Sequence, residues 1–131
     1  MIKFKYQSEP SNLGEVLRPV ADVILESNAL KVEVSMYIDS GADITMIPFR
    51  FGKALGFRQK SSDEIFEIKG VSGSGVPYIV KRAKIFLNNK RLNARLAWAL
   101  IEEVPLLLGR MDIFPKFKVI FDESQKTIIF C

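Results

Sequence analysis

A hydrophobic period of two governs what this chain can become. Leu30, Val32, Val34, Met36 and Ile38 alternate with Lys31, Glu33, Ser35 and Tyr37. Successive strand side chains point to opposite faces, so this spacing predicts a strand with one buried face. The same alternation runs through Ile2, Phe4 and Tyr6, through Ala83, Ile85 and Leu87, and through Phe117, Val119 and Phe121. It is equally long at Leu92, Ala94, Leu96, Trp98 and Leu100. Turn residues separate the runs: Ser27-Asn28, Asn88-Asn89 and Asp122-Glu123-Ser124-Gln125. Asparagine tolerates the left-handed backbone, so Asn88-Asn89 predicts a hairpin. Several short strands at regular spacing predict an all-β sandwich or small barrel.

Two segments read as helical. Pro48 to Leu55 gathers Ile47, Phe51 and Leu55 on one face, with a proline near its start and Gly56 past its end. Gly109 to Phe114 predicts a short turn or helix stopped by Pro115, because the residue before a proline avoids the α region. No repeat or linker interrupts the chain, and 131 residues suit one domain, 1–131, with a real core.

Composition removes whole chemistries. The sequence has no histidine, which excludes Ser-His-Asp and Cys-His catalysis and any His-ligated metal. Its one cysteine, Cys131, allows no internal disulfide and no multi-cysteine zinc site. Carboxylate, hydroxyl, lysine and backbone chemistry remain, and neither a metal nor a cofactor is expected. The net charge of +4 points only weakly to an anionic partner. Lys81, Arg82, Lys84, Lys90, Arg91 and Arg95 are scattered along alternating strands, where a solvated face is the default. Nucleic acid is therefore not the expected partner. No apolar run reaches a membrane span, and the start alternates instead of forming a signal-peptide core, so the expected compartment is the cytoplasm.

The informative segment is Met36-Tyr37-Ile38-Asp39-Ser40-Gly41-Ala42-Asp43. A hydrophobic strand runs straight into an aspartate, a hydroxyl and a glycine. A carboxylate at the end of a buried strand is costly unless hydrogen-bonded or functional. Ser40 can lock the local backbone, and Gly41 lets another backbone approach closely. Alone, the same tripeptide is also what a strand end followed by an Asx-type turn looks like. A second element is Leu106-Leu107-Leu108-Gly109-Arg110, a hydrophobic run ending in glycine. Between them, Phe66-Glu67-Ile68-Lys69 and Val76-Pro77-Tyr78-Ile79-Val80 flank Gly70-Val71-Ser72-Gly73-Ser74-Gly75, a glycine-rich tip that predicts a long β-hairpin. A phosphate-binding loop would need a Gly-Lys-Ser/Thr helix start, which is missing.

Asp39-Ser40-Gly41-Ala42-Asp43 followed about seventy residues on by Leu107-Leu108-Gly109-Arg110 resembles the retropepsin-like aspartic proteases, over roughly Leu30 to Phe130. The resemblance implies an all-β, closed-barrel-like acid-protease fold, with one short helix near the carboxyl end and a second after the catalytic loop. It implies that Asp39 is the catalytic aspartate and that Ser40 braces the paired loops across two subunits. The Gly41 backbone would bond substrate. Asp43 and Arg110 would pair to tie the loop to the short helix, the bidentate contact fixing orientation as well as charge. Gly70 to Gly75 would be the flap over the substrate. The chain departs from the viral pattern in having some thirty residues before the strand leading to Asp39, and in a serine-rich flap tip.

That family splits peptide bonds with a water held between two carboxylates. Only Asp39 sits before a hydroxyl residue and a glycine, while Asp112 and Asp122 do not and Asp63 lies in a polar turn. The dyad therefore requires a second copy, and the implied partners are an identical chain and an extended peptide. Thr127-Ile128-Ile129-Phe130 is apolar and β-prone, an unpaired edge that invites pairing, and one or both termini are expected to help form an intersubunit sheet. Two rivals stand beside this reading: a silent binding or dimerisation module that keeps the fold, and a nucleic-acid-binding barrel using the basic residues and ten phenylalanines.

Overall fold

The computed structural model describes residues 1–69 and 75–131. Twelve strands and one short α-helix follow in chain order. They are β1 (Ile2–Lys5), β2 (Gln7–Ser11), β3 (Gly14–Arg18), β4 (Val20–Ser27), β5 (Leu30–Ile38), β6 (Thr45–Ile47), α1 (Phe49–Ala54), β7 (Phe66–Lys69), β8 (Gly75–Leu87), β9 (Lys90–Ala99), β10 (Leu107–Leu108), β11 (Val119–Asp122) and β12 (Thr127–Phe130). Six strands close a barrel in the order β4, β5, β10, β6, β9, β8 and back to β4, with β7 hydrogen-bonded outside β8. Closure comes from Ile24, Leu25 and Glu26 pairing with Phe86, Ile85 and Lys84.

The alternation built these strands as expected. Along β5, Val34, Met36 and Ile38 are buried while Leu30 is exposed, so burial deepens toward Asp39. β8 and β9 form the long hairpin through Asn88, whose φ of 52° is left-handed. β4 and β5 turn through Asn28 and Ala29 at φ 54° and 62°. The alternation fails at the end of β9, where Leu96, Ala97, Trp98 and Ala99 are all buried. Two small alanines keep that strand narrow where both of its faces are covered.

Helix α1 is where the helical spacing placed it, opened by Pro48 in extended backbone and followed by Gly56 at φ 78°. It docks on Trp98. The indole Nε1 donates to Phe49 O at 2.9 Å, and the Phe49 ring stacks on the indole at 5.2 Å. Gly52 permits this approach, since a Cβ there would lie 2.1 Å from the indole Nε1. The helix expected near the carboxyl end is a single 3-10 turn, Phe114–Lys116. Asp112 at φ 68° breaks any helix running from Gly109, and Pro115 sits inside the turn, near its start, instead of ending it.

The terminal strands form a separate sheet in the order β1-β12-β11. This overturns the expected free edge at Thr127–Phe130. β12 is the central strand, with Phe130 opposite Ile2 on one side and Val119 on the other. Ile128 and Phe130 are buried because β12 is the middle strand against the core, and the outer edges belong to β1 and β11. The amino-terminal stretch supplies an exposed hairpin, β2–β3, held to the barrel by the Tyr37 hydroxyl donating to Glu9 Oε2 at 2.5 Å. That bond, then burial, raises the Tyr37 pKa.

Candidate functional site

Asp39 follows the last residue of β5 and is half-buried at the barrel's rim. Its backbone N–H donates to Leu108 O at 3.0 Å. Its side chain turns back on the loop, and Oδ1 accepts from Gly41 N–H at 2.8 Å. Ala42 N–H closes the turn onto Asp39 O at 3.2 Å. The Asx-type turn and the rigid carboxylate mount are therefore one structure. Ser40, Gly41 and Asp43 are exposed and Ala42 is half-buried, so the loop presents its hydroxyl and glycine backbone outward. A Cβ on Gly41 would sit 3.2 Å from Asp39 Oδ1, against the carboxylate itself.

The Leu-Leu-Gly element is the loop's floor. Leu107 and Leu108 form β10 between β5 and β6, parallel to Tyr37 and Ile38, with Leu107 opposite Met46. Gly109 N–H donates to the buried Thr45 Oγ1 at 3.0 Å. Gly109 lies so close to β6 that a Cβ would be 2.5 Å from Ile44 C and 2.6 Å from Ile44 O. Beyond it, Arg110 N–H donates to Ala42 O at 2.9 Å and Met111 N–H to Asp43 O at 2.8 Å. The chain thus brings Asp39 to Asp43 and Leu107 to Arg110 into one hydrogen-bonded unit.

Asp43 and Arg110 do meet, but through one contact, Nη2 to Oδ1 at 2.7 Å, with side chains 82% and 55% exposed. The expected bidentate geometry belongs to a different pair. Arg95 Nε and Nη2 donate to Asp112 Oδ2 and Oδ1 at 2.9 Å each, and Arg95 N–H adds a third bond to Oδ2 at 2.9 Å. These bonds pull the Asp112 pKa down to about 2 against the opposing effect of burial. Only an acidic residue in the otherwise apolar run Met111 to Phe114 hinted at this pair, and its partner lies on another strand.

The flap expectation is split. Its flanks pair as expected, Phe66 with Tyr78 and Lys69 with Gly75, and the Phe66 and Tyr78 rings stack at 5.5 Å. Gly75 opens β8, whereas Gly70, Val71, Ser72, Gly73 and Ser74 lie outside the described residues. The loop before β7 is pinned by Lys81 Nζ to Asp63 Oδ2 at 2.9 Å, a bond that lowers the Asp63 pKa.

Three of the six basic residues on β8 and β9 pair with acids, which breaks up the stripe. Lys81 meets Asp63, Lys84 meets Glu26 and Arg95 meets Asp112. Of the phenylalanines, Phe57 and Phe130 are core, and Phe4, Phe49, Phe51, Phe114, Phe117 and Phe121 pack against it. Both features weigh against the nucleic-acid barrel. No helix among the described residues is long and apolar enough to cross a membrane.

No protein-family model matches this sequence, and no curated protein matches it either. Solved structures do. A retropepsin-like aspartic protease from Rickettsia conorii aligns over 99% of this chain and 99% of its own, at 15% identity and a TM-score of 0.66. The EIAV protease, solved with an inhibitor, aligns over 76% of this chain and 86% of its own, at 24% identity and a TM-score of 0.58.

Proposed function

We propose that this chain, which has the retropepsin-like fold, is one half of an aspartic endopeptidase completed by a second copy. The observation that carries the reading is Asp39 itself: a half-buried carboxylate at the rim, oriented by Gly41 N–H at 2.8 Å and seated beside Leu108. Two such loops related by a twofold axis place one Asp39 from each chain around a shared water. Like charges a few ångströms apart cannot both ionise easily, so the pair holds one proton between them. The unprotonated carboxylate takes a proton from the water as it attacks the peptide carbonyl. The protonated one donates to the carbonyl oxygen. The tetrahedral species then collapses to amine and acid, with no covalent enzyme intermediate.

The exposed Ser40 hydroxyl braces the two loops, and the exposed Gly41 backbone accepts an extended peptide. The β7–β8 hairpin, in which Phe66 to Lys69 pair with Gly75 to Tyr78, supplies the flanks of a flap over the bound chain. The test is cleavage of a mixed peptide library by wild type and Asp39→Asn across a range of protein concentrations. Wild type is expected to cleave with a concentration dependence that follows dimer formation in sedimentation. Asp39→Asn is expected to dimerise and cleave nothing. A variant that cleaves as well as wild type would overturn the mechanism. A wild-type dimer that cleaves no peptide would leave the fold as a binding module.

A further inference from the structure

We infer that Arg95 and Asp112 are positioning residues for the Asp39 loop, acting through the segment that ends β10 and follows it. The inference rests on the proteolytic reading for its kinetic consequence, but not for its geometry.

The loop from Asp39 to Asp43 belongs to no sheet. It hangs on the end of β10 and the segment that follows, through Asp39 N–H to Leu108 O, Arg110 N–H to Ala42 O and Met111 N–H to Asp43 O. Whatever fixes residues 108–112 therefore fixes the carboxylate. At one end β10 does so, but it is only two residues long. At the other end the backbone leaves regular structure, and Asp112 adopts φ 68°, a conformation that L residues avoid. Such a conformation persists where surrounding bonds over-determine it. Here the Arg95 guanidinium fork and the Arg95 backbone N–H all converge on the Asp112 carboxylate at 2.9 Å.

The anchor is rigid. Arg95 lies on β9, paired along its length with β8 and continued by residues paired to β6, so the fork is mounted on the barrel wall. Arg82 faces Arg95 across the β8–β9 ladder, and Asp112 offsets the two neighbouring cations. Asp43 and Arg110 add one further hydrogen bond between the loop and this segment, Nη2 to Oδ1 at 2.7 Å, without the fork geometry. Asp112 and Arg95 are 25% and 41% exposed, and their bonds are directional as well as charged. Their bonds go to each other and not to Asp39, so both act on the carboxylate through the segment that carries its loop.

The experiment compares Asp112→Asn, Asp112→Gly, Arg95→Lys and, as a control, Lys84→Gln. Loss of alignment by a fraction of an ångström lowers kcat and spares KM. Asp112→Asn is expected to lower kcat about tenfold or more with KM within about twofold. Arg95→Lys keeps the charge but loses the fork, and should fall between it and wild type. Asp112→Gly relieves the backbone yet removes the carboxylate, so it should fold and still lose kcat. Lys84→Gln, which breaks an exposed ion pair with Glu26 away from the loop, should change kcat by less than about threefold.

A second measurement is independent of turnover. Hydrogen exchange at the Arg110 and Met111 amides should quicken about tenfold or more in Asp112→Asn, while core amides of β9 stay protected. Unchanged exchange there, full kcat in Asp112→Gly, or a larger kcat loss in Lys84→Gln than in Asp112→Asn overturns the assignment. If wild type cleaves no peptide, the proteolytic reading falls and the exchange measurement alone decides the positioning role.

Discussion

Gly109→Ala should be among the most damaging single-methyl additions to this chain. Gly109 does not need its glycine for a left-handed turn. It needs it for space, because the added Cβ would lie 2.5 Å from Ile44 C, 2.6 Å from Ile44 O and 2.9 Å from Thr45 N. Ordinary contact is about 3.5 Å, so the two backbones must separate by roughly 1 Å. All three atoms are main chain, and Thr45 opens β6, which is hydrogen-bonded to β10 and to β9. Neither side can yield as a flexible side chain would. Overpacking of this kind costs about 1–3 kcal/mol. Separation also lengthens the Gly109 N–H to Thr45 Oγ1 bond of 3.0 Å, which is buried. Losing it adds about 1 kcal/mol, for a total of about 2–4 kcal/mol.

Urea unfolding followed by Trp98 fluorescence reads this as a fall in midpoint of about 1–2 M at ordinary m-values. Thr45→Val is the control, because it removes the acceptor and adds no bulk beside Gly109. It should cost about 1–3 kcal/mol from the stranded N–H alone. A Gly109→Ala cost under about 1 kcal/mol, or one smaller than that of Thr45→Val, refutes the close-packing account. The same variant should also lose peptide cleavage, since Leu108 and Arg110 on either side hold the Asp39 loop.

Two more predictions follow from the terminal sheet and the Arg95 fork. Ending the chain at Gln125 removes β12, with Ile128 and Phe130 buried to 0% and 1% exposure, and strips β1 and β11 of their shared neighbour. Each buried side chain is worth about 2–5 kcal/mol, so the truncated protein should show no cooperative melt by circular dichroism. A folded monomer would refute the central placement of β12. Asp112 has its pKa depressed from 3.8 to about 2, chiefly by Arg95, so its stabilisation is present above pH 4 and lost as the pH falls toward 2. With solvent screening this is on the order of 1 kcal/mol. The difference in urea midpoint between wild type and Asp112→Asn should therefore shrink from pH 5 to pH 2.5, and a constant difference would refute it.

The alternation read β5, β8 and β9 correctly because the faces of a strand are written locally, one residue in two. It did not find β2, β3 or β4 as strands. Gln7 to Arg18 forms an exposed hairpin whose side chains face water on both sides, so no alternation marks it. β4 was hidden by Asp22 and Glu26 within an otherwise apolar run. The Asp39 turn was legible because Asp-Ser-Gly carries its own hydrogen bond from Gly41 N–H to the aspartate side chain. The Asp43–Arg110 contact was also anticipated, while the stronger Arg95–Asp112 fork was not. An arginine at a polar strand position looks the same whether it faces solvent or a carboxylate from another strand.

The sequence alone marked the strands with one buried face, the turns at Asn28 and Asn88, and a chemistry without histidine. Tertiary structure decided the neighbours. It set Leu107 and Leu108 between β5 and β6, closed the barrel through β4 and β8, and moved β12 from an edge to the middle of a sheet. The physical reason is that every residue except proline offers the same backbone N–H and C=O to a partner strand. Side-chain pattern selects a face, but pairing is chosen by which strands can bury their faces together. Asp39 is held in place by that second choice, through Leu108, Gly109 and the β6 backbone beside them.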